Sequence, residues 1–102
     1  MRIAEMYTIE FTQDAIEDLR SFRKSEQQKI VSGIETQLKY KPTVKTRNRF
    51  RMRPNDIAEW ELQIGKYRVF YNVEEVNHLV SIEVIGFKSG NRLFVRGRRR
   101  EL

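Results

Sequence analysis

At 102 residues, with 39% hydrophobic and 11% aromatic content, the chain has the size and apolar share of one compact domain (residues 1–102), and its 33% charged residues do not make it a disordered one. It has no cysteine, which excludes a disulfide framework and thiolate metal sites, and neither the N-terminal "MRIAEMYTIEF" nor any later run reaches signal or membrane-spanning length. The net charge of +6 is concentrated: residues 36–55 carry seven basic and no acidic groups, and residues 86–102 carry six basic and one acidic. Such segments on an otherwise acidic chain read as a surface for a polyanion, or as one that awaits an acidic protein. The absence of cysteine and of a membrane span fits a cytoplasmic protein.

"MYTIEFT" alternates Tyr7, Ile9 and Phe11 with polar residues and predicts a half-buried strand. "TQDAIEDLRSFRK" switches to helical spacing, with Ala15, Ile16, Leu19 and Phe22 on one face and Thr12 as N-cap. A second helix is expected from "SEQQ", where Ser25 and Gln28 have capping-box spacing. Its apolar face is Ile30, Ile34 and Leu38, and Pro42 stands past its end. The short connection predicts an antiparallel helical hairpin.

"VKTRNRFRMRP" follows, with Lys45, Arg47, Arg49, Arg51 and Arg53 at every second position. This is the period of an extended strand, so all five cations are expected on one face, tacked down by Phe50 and Met52. Five like charges in a row repel unless counter-charge arrives. "EWELQI", "YRVFYNV" and "LVSIEVIGF" then read as three strands of a meander, with Val80, Ile82 and Val84 on one face of the last. The "RGRRREL" end, with Arg96, Arg98 and Arg99, reads as a basic tail. The expected fold is α+β in the order β-α-α-β-β-β: a four-stranded antiparallel sheet with the helical hairpin on one face and the other face open.

The single histidine, His78, falls in an expected turn and reads as solvated, and no Gly-rich phosphate loop is present. Neither a metal nor a cofactor is expected. More telling is Arg68, which alternation turns to the open face of an apolar strand. A guanidinium there needs either a bound anion, whose developing charge it would stabilise, or a cross-strand carboxylate from Glu61 or Glu83.

"YTIEFTQDAIEDL", "EWELQIGKYRVFYNV" and "IEVIGFKSG" resemble the RelE/ParE superfamily of bacterial toxins, over about residues 7–96. The most specific feature is the hairpin ending Tyr67-Arg68-Val69-Phe70-Tyr71. The resemblance implies the toxin of a type II toxin–antitoxin module that enters the ribosome and cuts mRNA. The RNA's own 2′-hydroxyl attacks the adjacent phosphate, so the protein supplies only a base, positive charge and an acid. Arg68 matches the family's phosphate-binding arginine, while Lys88 stands where RelE has an arginine and Arg92 is a further cation. Glu61 and Gln63 replace two RelE lysines, which makes Glu61 a candidate base or simply a partner of Arg68. Phe94 falls near the place of a RelE tyrosine whose hydroxyl takes part in the reaction.

The partners so implied are a cognate antitoxin, the ribosome and mRNA, with DNA reached only through a toxin–antitoxin complex. The cationic row and tail would contact RNA or receive an acidic antitoxin segment; otherwise they are a charged, aggregation-blunting edge. Other readings consistent with these residues are a ParE-type toxin that acts on DNA gyrase without cutting nucleic acid, and an inactive antitoxin- or nucleic-acid-binding module.

Overall fold

The computed structural model describes residues 5–101; residues 1–4 and Leu102, the last residue of the expected tail, lie outside the described residues. The order is β1 (Thr8–Phe11), α1 (Gln13–Arg20), α2 (Lys24–Leu38), β2 (Arg49–Arg51), β3 (Trp60–Ile64), β4 (Tyr67–Glu74), β5 (Leu79–Ser89), β6 (Arg92–Val95) and β7 (Arg98–Arg100). No helix among the described residues is long and apolar enough to cross a membrane.

The expected α+β class is borne out, but among the described residues the sheet has seven strands rather than four. Strands β2 to β7 run in sequence order across it, antiparallel, and β1 pairs parallel to β5. The parallel pair arises because both helices and the β2–β4 meander carry the chain away and back before β5 returns beside β1. Strands β2, β6 and β7 have three, four and three residues, too short for alternation to announce them. Arg96 and Gly97 both have positive φ (52° and 72°), as a tight two-residue hairpin turn requires, so the basic tail is in fact the β6–β7 hairpin.

Thr12 caps α1 as expected, its hydroxyl accepting from the Ala15 N–H at 3.1 Å. Helix α2 begins at Lys24, one residue ahead of the expected cap. Arg23 is its N-cap, and its backbone N–H donates to the Glu26 carboxylate at 3.2 Å, so Glu26 rather than Gln28 reaches back. Ile30, Ile34 and Leu38 are fully buried with Leu62, Val69, Val80 and Ile82 beneath them. Each such side chain contributes about 1.5–3 kcal/mol on leaving water. Both helices pack on the sheet, α1 against β5 and α2 against β3.

The second face of the sheet is not fully open. Ala58, Phe70, Val84, Leu93 and Val95 form a separate small core there, with Met52 and Ile57 against it. Val84 reaches this side because of a bulge. Phe70 pairs with Val84 but Tyr71 with Ile82, which leaves Glu83 as an extra residue in β5. Val80 and Ile82 therefore face the helices as expected, Val84 turns away, and Ile85 returns to the helix side.

The outer edge of β5 pairs with β1 up to Ile82 and with β6 from Phe87 onward. Helix α1 fills the interval. Thr12 donates its backbone N–H to the Ile82 carbonyl at 3.0 Å and its hydroxyl to the Glu83 carbonyl at 3.0 Å. Asp18, almost fully buried, accepts the Ile85 N–H at 3.0 Å, and Arg96 Nε lies 3.0 Å from its other oxygen. Burial raises the Asp18 pKa, against the lowering pull of the Ile85 N–H and of Arg96.

Replacing Asp18 with Ala leaves a buried N–H without an acceptor and is expected to cost about 1–3 kcal/mol in urea denaturation, with Asp18→Asn costing less. A raised carboxyl pKa means that the folded chain holds this proton more tightly than the unfolded one. The corresponding stabilisation is complete below the ordinary carboxylate pKa and is lost as pH rises through the raised value. The stability of the wild type relative to Asp18→Asn should therefore fall with rising pH across that window; a difference that grows instead would show that Arg96 outweighs burial.

Candidate functional site

On the face away from the helices, the sheet lies between the β6–β7 hairpin and the segment of residues 50–58 that enters β3. Between them is a cleft of about 580 Å³. Its lining carries Arg51, Arg53, Arg68, Lys88, Arg92, Arg99 and Arg100, seven basic groups against only Glu61 and Glu101, so the cleft favours an anion. Phe50, Met52, Phe70 and Leu93 supply an apolar part.

The local pattern explains how the central groups arrive. Phe50, Glu61, Phe70 and Val84 are successive cross-strand partners over β2, β3, β4 and β5 and share the cleft face. Two pairs further along, Gln63, Arg68 and Gly86 form the next row on this face. Arg68 is held within this grid, its side chain 12% exposed. Nη1 donates to the Gly65 carbonyl at 2.6 Å and to the Tyr67 carbonyl at 3.0 Å. Nε lies 3.6 Å from Glu61 Oε2 without forming a hydrogen bond. Gln63 donates to the same carboxylate at 3.1 Å. The guanidinium is thus aimed by backbone carbonyls and balanced by one carboxylate, and Nη2 makes no hydrogen bond among the described residues. Of the two alternatives for Arg68, the cross-strand carboxylate is realised with Glu61. Glu83 instead accepts from Ser81 at 2.7 Å.

All four expected catalytic residues, Arg68, Lys88, Glu61 and Arg92, line this one cleft. Lys88 is the cross-strand partner of Leu93, and Arg92 lies at the β5–β6 turn. Neither, nor Arg53, has a carboxylate within ion-pair distance among the described residues. Phe94 is absent from the lining: its ring stacks on Phe87 with centroids 5.4 Å apart. Among the described residues no cluster of histidine and carboxylate side chains suits a metal ion.

The other basic residues do not behave as one row. The chain turns back between Thr46 and Arg49, which bridge one another, so the extended face of five cations does not form. Arg49 is buried, donating from Nε to the Val44 carbonyl at 2.7 Å and from Nη1 to the Gln37 carbonyl. Arg51 pairs with Glu59 at 2.6 Å, Arg53 and Arg99 line the cleft, and Lys45 and Arg47 lie outside it. Arg98 is exposed and outside the cleft. Arg96, expected at an RNA or antitoxin contact, is held by Asp14 at 3.1 Å and Asp18 at 3.0 Å and fastens the hairpin to α1. His78 is not simply solvated: its ring meets Tyr7 edge-on and its Nε2 lies 2.8 Å from Glu5.

Two contributors were missed in the sequence. Arg100 lines the cleft and donates to both oxygens of Asp56, at 2.8 and 2.9 Å, joining the two walls. Asn55 organises the facing wall, its carbonyl oxygen accepting from the N–H of Ile57 at 2.7 Å and of Ala58 at 3.1 Å. The Pro54-Asn55-Asp56 triplet is a turn signal that could have located this wall. Nothing local could have paired Arg100 with Asp56.

No family model and no curated protein matches the chain. Among solved structures it is similar to a chain of the toxin–antitoxin complex RelBE2 from Mycobacterium tuberculosis, with 21% identity and a TM-score of 0.67, over 81% of this chain and 99% of that one. The RelE-like resemblance of the sequence is thus borne out in the fold.

Two substitutions separate structural from surface roles. A Cβ on Gly86 would meet the Phe94 carbonyl at 2.5 Å, so Gly86→Ala must displace β6 and should cost about 1–3 kcal/mol. Arg49→Ala removes a buried charged donor from the Val44 and Gln37 carbonyls and should cost about 1.5–3 kcal/mol, whereas Lys45→Ala should leave the urea midpoint unchanged.

Proposed function

We propose that this chain is the toxin of a type II toxin–antitoxin pair and an endoribonuclease that cuts mRNA on the ribosome. The observation that carries the reading is Arg68, aimed by two backbone carbonyls into a cationic cleft beside Glu61. The likeness of the fold to a toxin–antitoxin complex supports it.

In this reading Glu61 accepts the proton of a 2′-hydroxyl, and the 2′-oxygen attacks the neighbouring phosphorus. The bond to the 5′-oxygen breaks, a 2′,3′-cyclic phosphate forms, and the leaving oxygen takes a proton, for which Lys88 is the candidate donor. Arg68 and Arg92 stabilise the charge that gathers on the phosphoryl oxygens. Phe94 has no proton to give and lies outside the cleft, so the reaction proceeds without the hydroxyl that the family resemblance implies at this place. A cognate antitoxin would neutralise the protein by laying an acidic segment into the same cleft.

A second reading is favoured by one observation. Glu61 is already engaged by Gln63 and faced by Arg68, both at the same carboxylate oxygen, an arrangement that holds Arg68 in place and suits a toxin that binds a target such as gyrase without cutting nucleic acid. Primer extension on programmed ribosomes separates the two. Cuts in the A-site codon should appear with wild type and fall about a hundred- to a thousandfold in rate with Arg68→Ala. Intact message with both proteins, alongside stalled supercoiling, would give the gyrase reading its place.

A further inference from the structure

Lys45 and Arg47 are outside the cleft, but they are not loosely placed. The turn that carries them is tied to the body by the buried Arg49 guanidinium, which donates to the Val44 and Gln37 carbonyls. Both are exposed and have no ion-pair partner among the described residues. With Arg51, Phe50 and Trp60 they line a second concavity of about 440 Å³ beyond the β2 edge. Phe50 belongs to both concavities, and Arg51 likewise, so the two meet across one short strand. Phe50 is half-buried, whereas Phe70, the other aromatic ring in the cleft lining, is fully buried.

We infer that this is a track for single-stranded RNA leaving the cleft: Phe50 stacks on one base as the strand crosses β2, and Lys45 and Arg47 hold phosphates of the nucleotides beyond. The inference deepens the endoribonuclease reading and rests on it for the identity of the strand in the cleft. Its physical basis is the pairing that single-strand binders use, a partly exposed aromatic face between cations that follow the backbone. Phe50 lies two strand spacings across and two residues along from Arg68 on β4, roughly 12 Å, so a phosphate at Arg68 and a stacked base at Phe50 belong to neighbouring nucleotides. A rigid loop presents the outer cations in advance, and the buried Arg49 serves that end although it touches no ligand.

Binding of 2′-O-methyl oligoribonucleotides, which cannot be cut by 2′-oxygen attack, tests this by fluorescence anisotropy. A trinucleotide reports the cleft alone, and a nonanucleotide reports cleft and track. The Lys45→Ala/Arg47→Ala double variant should bind the trinucleotide as wild type does. For the nonanucleotide, its slope of log affinity against log salt should be shallower by about 1.4, two phosphate contacts on a single strand. Phe50→Ala should weaken the nonanucleotide by about five- to a hundredfold, and Phe50→Trp should restore it. An unchanged salt slope in the double variant overturns the track while leaving the cleft reading intact, provided Arg68→Ala still weakens the trinucleotide. A polyglutamate peptide that displaces the nonanucleotide equally well from wild type and Phe50→Ala would show a surface built for an acidic protein, and would also overturn it. Failure of both oligonucleotides to bind would overturn the track, while the cleft reading would be decided by primer extension on programmed ribosomes with wild type and Arg68→Ala.

Discussion

The extra residue in β5 is the constraint on which the rest of the structure depends. A regular strand of eleven residues would keep Val80, Ile82 and Val84 on one side; the bulge at Glu83 moves Val84 to the other. That single step gives the sheet apolar contacts on both faces. Helices cover one side, while Phe70, Val84, Leu93 and Val95 form a base on the other. The cleft stands on that base. Without the bulge, β5 would offer Glu83 there, and the β6–β7 hairpin would lack its apolar seat.

Bulges leave backbone groups without ladder partners, and here α1 supplies them. Thr12 and Asp18 answer the Ile82, Glu83 and Ile85 groups in the interval between β1 and β6. Asp18 also meets Arg96, in the turn of the hairpin that forms one cleft wall. A buried carboxylate is costly in isolation, and this one is retained where it satisfies an amide and faces a guanidinium at the same time. The N-terminal helix is therefore coupled through one side chain to the geometry of the opposite face.

The cleft itself shows how a cationic surface is kept in order. Several of its arginines are tethered: Arg68 to carbonyls and Glu61, Arg51 to Glu59, Arg100 to Asp56. The exposed pairs among them, Arg51–Glu59 and Arg100–Asp56, contribute little stability, but they fix where the charges stand. Lys88, Arg92 and Arg53 have no such partner among the described residues and supply the excess that an arriving polyanion would neutralise. A strongly charged lining beside an apolar floor suits a ligand that has both charge and rings.

Much of this was legible in the chain. Alternation located β1, β3, β4 and β5, helical spacing located both helices and their buried faces, and the Thr12 cap followed from residue type alone. Arg68 stood out because a guanidinium inside an apolar strand demands a partner, and the four expected catalytic residues do converge on one cleft. These features are local: periods of two and 3.6, a cap, a charge out of place. The tertiary structure decided what depends on distant partners. The alternating cations promised one face, but a turn at Thr46–Arg49 and the carbonyls of Gln37, near the end of α2, and Val44 drew Arg49 inward. Likewise, Asp14 and Asp18 converted Arg96 from a surface charge into an anchor, and the basic tail became a strand only because β6 offered it an edge. No period in the sequence reports such encounters, since they are set by which backbone groups and carboxylates the fold leaves unpaired nearby.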